Sequence, residues 1–244
     1  MNLTEETVEY RDGEAELRGL LVWGEDGGKR PGVLVVHGGA GLDDHARGRA
    51  RQLAELGLVV FACDMYGEGV IGDRDRVMAC IAELVGDRDK ISHRALAGAH
   101  VLSSHPRVDG NLAAVGYCFG GRTVLELARS GAELAAVISV HGSLETDKPA
   151  GPGQVRSKIL VCHGALDPHV PTQQVTDFIE EMNAAGTDYQ LVVYGGAMHG
   201  FTHDTGPTSP GTAYHAASDG RSFKAIETFL TETFGPLATV DGRS

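Results

Sequence analysis

Cys118 is the residue around which the chemistry of this sequence is arranged, because it lies within Gly116-Tyr117-Cys118-Phe119-Gly120-Gly121. An apolar run, Leu112 to Val115, precedes this segment, and a helix-like stretch, Thr123 to Ala128, follows it. The pattern glycine-x-nucleophile-x-glycine is typical of a sharp strand-to-helix turn, in which the apex residue is strained and its neighbours must lack side chains. A helix that begins behind the sulfur favours thiolate over thiol. A buried structural cysteine in a glycine-rich turn is the alternative for this segment alone.

Two further segments carry residues that could activate a thiol. Asp167 follows an apolar run at Ile159 to Cys162, and His199 follows another at Leu191 to Tyr194. Because a free thiol is only about 3% thiolate at pH 7, we expect His199 to raise that fraction and later to protonate the leaving group. Asp167 would hold the imidazole in one tautomer and stabilise its cation. The alternatives are a turn aspartate before Pro168 and a histidine of a surface loop.

Acyl transfer also requires donors for the oxyanion that develops on the attacked carbonyl. The backbone N–H of Phe119, directly after the nucleophile, is one expected donor. The other is expected from the loop after the apolar run Val33 to Val36, with Gly39 as the candidate. Gly38 and Gly39 would allow a ligand to approach the backbone closely, although a tight turn without ligand contact is the alternative.

Strand and helix signals predict the elements that bring these residues together. Two strand-like runs, Thr7 to Arg11 and Glu14 to Trp23, flank Asp12-Gly13, which is a strong hairpin signal. After this hairpin, buried strands alternate with helical segments, which favours a doubly wound, mostly parallel sheet of about eight strands with helices on both faces. Catalytic groups of such a sheet gather beyond the carboxyl ends of its strands. The order nucleophile, aspartate, histidine is that of the α/β-hydrolase fold, and we expect residues 1–244 to form a single α/β-hydrolase domain.

Other polar residues near the predicted site have less specific patterns. His199 and His203 are four residues apart, a spacing that can bind a metal on a helix, but glycine, threonine and proline around them favour a loop. We therefore predict no metal site. Arg122 lies just past Cys118 and is a candidate for binding a substrate anion, with an ordinary arginine on the helix surface as the alternative.

Composition restricts the classes of partner. The 244 residues carry a formal net charge of −12 and no basic cluster, so nucleic acid and anionic membranes are not expected partners. No apolar stretch approaches the roughly 18 residues of a membrane span. Met1 to Glu6 is polar and acidic, and the four cysteines include no C-x-x-C pair. Free thiols without a visible leader lead us to expect a cytoplasmic protein.

These residues resemble those of the dienelactone hydrolase family. The matching segments are Gly116-Tyr117-Cys118-Phe119-Gly120-Gly121, Asp64-Met65-Tyr66-Gly67, Asp167-Pro168 and Gly195-Gly196-Ala197-Met198-His199-Gly200-Phe201. The resemblance extends from the Val33 run to the last helix, and its most specific part is the cysteine, because most α/β-hydrolases have serine there. It implies a cofactor-free hydrolase, a monomer or weak homodimer, that cleaves small ester or lactone substrates through a Cys-His-Asp triad and a thioester.

The sequence departs from the family pattern at two positions. Gly38 stands where well-known members have a glutamate, and His203 stands where they have an arginine that belongs to the same polar network. Their joint replacement is self-consistent, since either charge alone would be buried and unpaired. The resemblance adds Tyr66 and Phe201 to Gly38, Arg122 and His203 as candidate substrate-binding residues. The rival hypotheses are a catalytically silent α/β-hydrolase that binds or senses a small molecule, and a thiol peptidase, for which no peptide cleft is indicated.

Overall fold

The computed structural model describes residues 2–25, 27–68, 70–205 and 209–237. The strands are β1 Leu3–Asp12, β2 Ala15–Gly24, β3 Arg30–Val36, β4 Val59–Cys63, β5 Val108–Tyr117, β6 Ala136–Val140, β7 Lys158–Gly164 and β8 Tyr189–Tyr194. The helices are α1 Asp44–Glu55, α2 Arg74–Val85, α3 Arg88–Ser103, α4 Phe119–Arg129, α5 Thr172–Ala185 and α6 Ala216–Phe234.

The eight strands form one sheet in the order β1-β2-β4-β3-β5-β6-β7-β8. β1 and β2 form an antiparallel hairpin around Gly13, which has a φ of 59°, and β2 pairs antiparallel with β4. The pairs from β4 through β3 and on to β8 are all parallel. This confirms the predicted fold: a mostly parallel sheet with an antiparallel start.

Helices cover both faces of the sheet, and each face has its own apolar core. On one face, α1 and α6 contribute residues such as Leu53 and Phe229. On the other, α2, α3, α4 and α5 contribute residues such as Ile91, Leu125 and Phe178. The central strands are therefore apolar on both sides, as expected for parallel strands joined by helical crossovers.

The helix α4, which follows Cys118, is fixed at its far end by four charges that we call the ion quartet. Glu126 and Arg129 of this quartet are buried, and the other two, Arg88 and Glu181, have side chains 11% and 6% exposed. Arg129 is fully buried and pairs with Glu126 at 2.9 Å and with Glu181 at 2.8 Å, while Arg88 pairs with Glu126 at 2.7 Å. The quartet joins α3, α4 and α5. Removing one member would leave a buried charge without its partner, which typically costs about 3–5 kcal/mol.

Six strands end at the same edge of the sheet and direct the following residues to one place. These strands are β3, β4, β5, β6, β7 and β8, which run parallel to one another. In the described part of the chain, no helix is both long and apolar enough to cross a bilayer.

Candidate active site

Cys118 occupies a strained turn between β5 and α4. Its φ is 53° and its ψ is −114°, a conformation that is unusual for a residue with a side chain. A Cβ atom on Gly116 would collide with the carbonyl of Gly120, and one on Gly120 would collide with the carbonyl of Val36. Both glycines are therefore required sterically, since the turn packs against β3 without room for a methyl group.

The side chains of Cys118, His199 and Asp167 form one hydrogen-bonded line. His199 Nε2 lies 3.1 Å from Cys118 Sγ, and His199 Nδ1 lies 2.8 Å from Asp167 Oδ2. Asp167 Oδ1 accepts backbone N–H bonds from His169 and Val170. The Asp167 side chain is inaccessible to solvent and that of His199 is 14% exposed, so the line is largely shielded from water.

The electrostatics of this line favour a thiolate beside an imidazolium. Burial opposes ionisation of Cys118, but the hydrogen bond and charge of His199, with the backbone N–H groups of Gly39 and Phe119, lower its pKa. Burial also opposes the charged form of His199, but Asp167 and Cys118 raise its pKa well above the ordinary value. The pKa of Asp167 is lowered, because His199 and the His169 N–H outweigh burial.

The backbone N–H groups of Gly39 and Phe119 both stabilise the thiolate of Cys118, and further hydrogen bonds hold the loop that carries Gly39. His37 Nδ1 donates to the Gly38 carbonyl at 2.7 Å, since His37 Nε2 accepts the N–H of Met65 at 3.1 Å. The Tyr66 hydroxyl donates to the Gly39 carbonyl at 3.3 Å. These bonds hold the carbonyls of the loop in place while the amide of Gly39 faces Cys118.

A cavity of about 330 Å³ opens over Cys118 and His199. Apart from the Cys118–His199 pair, its charged lining residues are Asp43 and Asp204, and no lysine or arginine lines it within residues 2–25, 27–68, 70–205 and 209–237. His203 also lines the cavity, and burial, together with the Arg49 and His199 charges, lowers its pKa despite the opposing effect of Asp43. The imidazole of His203 is therefore neutral at pH 7.

The five candidate substrate-binding residues take different places. A Cβ on Gly38 would lie 3.4 Å from His203 Nε2 and 3.6 Å from Cys118 Cβ, so both positions adjoin the nucleophile. Tyr66 is 7% exposed and supports the Gly39 loop. Phe201 is fully buried against His141 and Tyr194, and Arg122 does not line the cavity, so neither side chain reaches the space over Cys118.

The structure adds buried histidines that the sequence analysis did not single out. His141 follows β6 directly, and its Nδ1 accepts the backbone N–H of Cys118 at 3.1 Å. His45 of α1 stacks on His203 with ring centroids 3.7 Å apart. His141 directly follows the apolar run Ala135 to Val140, and a polar residue at the end of such a run is a usable signal. His45 is separated from the site by many residues and has no such signal. Within the described ranges, no group of histidine, cysteine and carboxylate side chains is arranged to hold a metal ion.

The sheet order and the cysteine at the turn between β5 and α4 define an α/β-hydrolase. The chain belongs to the dienelactone hydrolase family, which matches residues 17–234, and is therefore a hydrolase of esters or lactones. The resemblance found in the sequence is thereby confirmed.

Individual relatives cover most of the chain. A dienelactone hydrolase-like promiscuous phosphotriesterase from metagenomic libraries is 38% identical, with a TM-score of 0.89 over 96% of this chain and 100% of that one. A provisionally named carboxymethylenebutenolidase of Escherichia coli O157:H7 is 30% identical over 78% of this chain and 73% of its own length. A Caenorhabditis elegans protein is 38% identical over 62% of this chain and 99% of its own.

Proposed function

We propose that the protein hydrolyses esters or lactones through a covalent thioester on Cys118. The observation that carries this proposal is the hydrogen-bonded line from Asp167 through His199 to the sulfur, with separations of 2.8 Å and 3.1 Å. A catalytically silent binding protein has no need of a nucleophile, base and carboxylate in this alignment.

In the first half-reaction, the Cys118 thiolate attacks the carbonyl carbon and the carbonyl electrons move to its oxygen. The N–H groups of Gly39 and Phe119 stabilise this oxyanion. When the carbonyl re-forms, the bond to the leaving oxygen breaks, and that oxygen takes the proton from His199 Nε2. The acyl group then remains on sulfur as a thioester; with a lactone, the alcohol stays tethered to it.

In the second half-reaction, neutral His199 removes a proton from water, whose oxygen attacks the thioester carbonyl. The same two amides stabilise the second oxyanion. Its collapse breaks the carbon–sulfur bond, releases the carboxylic acid and restores the thiolate beside the imidazolium. Asp167 holds His199 with Nε2 toward the sulfur throughout, which is the role of the acid in such triads.

The cavity favours neutral substrates. His203 is neutral, and the charged lining residues within the described ranges are acidic. A substrate carboxylate would therefore meet Asp43 and Asp204 without a compensating cation, since the imidazolium of His199 is already paired with the Cys118 thiolate.

The experiment that tests this function is capture of the acyl-enzyme. Wild-type protein mixed with p-nitrophenyl acetate and quenched with acid should gain one acetyl group on the Cys118 peptide, together with a burst of p-nitrophenol. Cys118→Ala should show neither the adduct nor the turnover, and Cys118→Ser should keep the fold but lose much activity, because a hydroxyl is much harder to ionise. Full turnover by Cys118→Ala would contradict the proposal.

A further inference from the structure

Two strained residues meet at the candidate active site. In the described part of the chain, Cys118 and His141 are the non-glycine residues with positive φ, at 53° and 42°. They are hydrogen-bonded to each other, because the Cys118 N–H donates both to the Val140 carbonyl, at 3.0 Å, and to His141 Nδ1, at 3.1 Å. A non-glycine residue persists in this conformation where its surroundings impose it, and such residues cluster at functional sites.

The bond to Cys118 fixes the proton of His141. A backbone N–H can only donate, so Nδ1 accepts. Burial holds the pKa of His141 well below its ordinary value, with the neighbouring His203, His199 and His45 acting in the same direction, so the ring is neutral. Its one proton therefore lies on Nε2, which donates to Thr202 Oγ1 at 2.8 Å.

Beyond Thr202, the hydrogen bonds continue to His45 and Arg49, and the Arg49 guanidinium can also only donate. Arg49 Nε donates to His45 Nε2 at 3.3 Å, so this nitrogen accepts. The Thr202 hydroxyl, 3.1 Å away, can then only donate to it. Arg49 also donates to the Thr202 carbonyl at 2.9 Å and pairs with Asp219 of α6.

The Thr202 hydroxyl thus joins two series of hydrogen bonds, one that starts at the Cys118 N–H and one that starts at Arg49 Nε. The Thr202 oxygen accepts from His141 and donates its own proton to His45 Nε2, so the ring proton of His45 lies on Nδ1, which has no hydrogen-bond partner among the described residues. Thr202, His141 and His45 are all buried, with exposures of 1%, 1% and 8%. Water therefore has little access with which to replace the hydroxyl.

We propose that Thr202 and His141 are positioning residues that couple the turn carrying Cys118 to the loop carrying His199. Thr202 is three residues after His199, and His141 accepts the amide N–H of Cys118 together with the Val140 carbonyl. The Thr202 hydroxyl between them fixes the distance from the Cys118 thiol to the His199 imidazole. Arg49 of α1 holds the backbone carbonyl of Thr202 and pairs with Asp219 of α6. This inference rests on the proposed function of Cys118 and His199.

The test compares Thr202→Val, which keeps the shape and removes the hydroxyl, with Thr202→Ser, which keeps the hydroxyl. In the valine variant, the pH at which Cys118 becomes reactive to iodoacetamide should rise by about one unit. Below that pH, this shift corresponds to a thiolate fraction about tenfold lower than in the wild type. It should also lower kcat about tenfold with little change in KM, since the interaction acts in the chemical step. The serine variant should stay close to wild type in both measurements.

A matched control is Thr187→Val, because the Thr187 hydroxyl is also buried but lies near the amino end of β8 and has no hydrogen-bond partner among the described residues. It should behave as wild type. A Thr202→Val protein with the wild-type pH profile and kcat would overturn the inference, as would a serine variant that behaves like valine.

Should Thr202→Val fail to fold, His141→Asn provides the second test. Asparagine tolerates a left-handed backbone, and its Oδ1 can accept the Cys118 N–H, but its side chain is too short to reach Thr202. The same rise in the thiol pKa is expected, and an unchanged pKa overturns the inference. Cys118→Ala separates the two proposals: its inactivity beside an unaffected Thr202→Val would overturn the coupling alone, and its full activity would overturn the nucleophile.

Discussion

At the scale of single residues, the four cysteines of the chain have distinct environments. Cys63 and Cys162 are fully buried, and burial raises the pKa of both thiols, that of Cys162 to about 12. Cys80 is partly exposed on α2, and its pKa is also raised, by burial and the charge of Glu83. Cys118 alone of these four has a lowered pKa, because His199 and two amides stabilise its thiolate.

Because Cys80 has a raised pKa, it serves as an internal control for the reactivity of Cys118. Limiting iodoacetamide should label Cys118 first, with loss of activity in step. Because the pKa of Cys118 is lowered and that of Cys80 is raised, the labelling rate of Cys118 should level off at a lower pH than that of an ordinary thiol, and the labelling rate of Cys80 at a higher pH. Peptide mass spectrometry over a pH series measures both, and parallel pH profiles for the two cysteines would contradict the prediction.

The pH profile of turnover should be bell-shaped and broad, because the pKa of Cys118 is lowered and that of His199 is raised. The rising limb reports formation of the thiolate, at a pH below that of an ordinary thiol. The falling limb reports loss of the His199 proton that the leaving group needs, at a pH above that of an ordinary histidine. Both apparent values belong to the pair, since each group titrates in the field of the other. A kcat/KM profile that falls off near pH 6.5 on its alkaline side would contradict this prediction.

At the scale of elements, the turn between β5 and α4 depends on the absence of side chains. Two helical glycines make this testable, because Gly120 lies in the first turn of α4 against the Val36 carbonyl and Gly220 lies exposed in α6 with open space around it. Gly120→Ala should shift the turn and lower ester hydrolysis at least tenfold, with a clear loss of thermal stability. Gly220→Ala should keep full activity and add roughly 0.5–1 kcal/mol of stability. Equal behaviour of the two variants would contradict this steric account.

The elements themselves were largely predictable, because their signals are local. Short apolar runs identified the strands that lead to Cys118, Asp167 and His199, and Asp12-Gly13 identified the hairpin. The buried network was not predictable. Thr202 is 61 residues from His141 and 157 from His45. The positive φ of His141 was also unexpected, because that position holds a histidine and not a glycine or asparagine. Such contacts arise from packing between elements, which a single sequence does not display.

At the scale of the whole molecule, the net charge of the chain and the carboxylates of the cavity both disfavour an anionic substrate. The chain carries a net charge of −12, and the cavity adds Asp43 and Asp204 close to the nucleophile. The overall charge is screened beyond about 8–10 Å in physiological salt, so the local carboxylates have the larger effect. Arginines of two nearby helices were candidates to compensate for them, but none of these lines the cavity: Arg74 and Arg76 of α2 and Arg122 of α4.

We therefore expect a neutral ester to be preferred over the corresponding acid. The measurement compares kcat/KM for a carboxylated dienelactone with that for its methyl ester. The neutral imidazole of His203 offers a carboxylate one donor at most, far less than a bidentate guanidinium. A ratio that favours the acid by tenfold, about 1.4 kcal/mol at the transition state, would contradict the prediction. Substitution of Arg122, Arg74 and Arg76 in turn would then identify the cation responsible.

The ion quartet behind α4 has a consequence for how this chain can evolve. Each of Arg88, Glu126, Arg129 and Glu181 is acceptable only while its partners are present, so most single substitutions there would pass through a destabilised intermediate. Replacement of the whole set by apolar residues of similar volume would be close to neutral, but it requires several simultaneous changes. Lineages descending from this sequence should therefore keep the four positions together or exchange them as a block, and their mutational histories should show strong epistasis there.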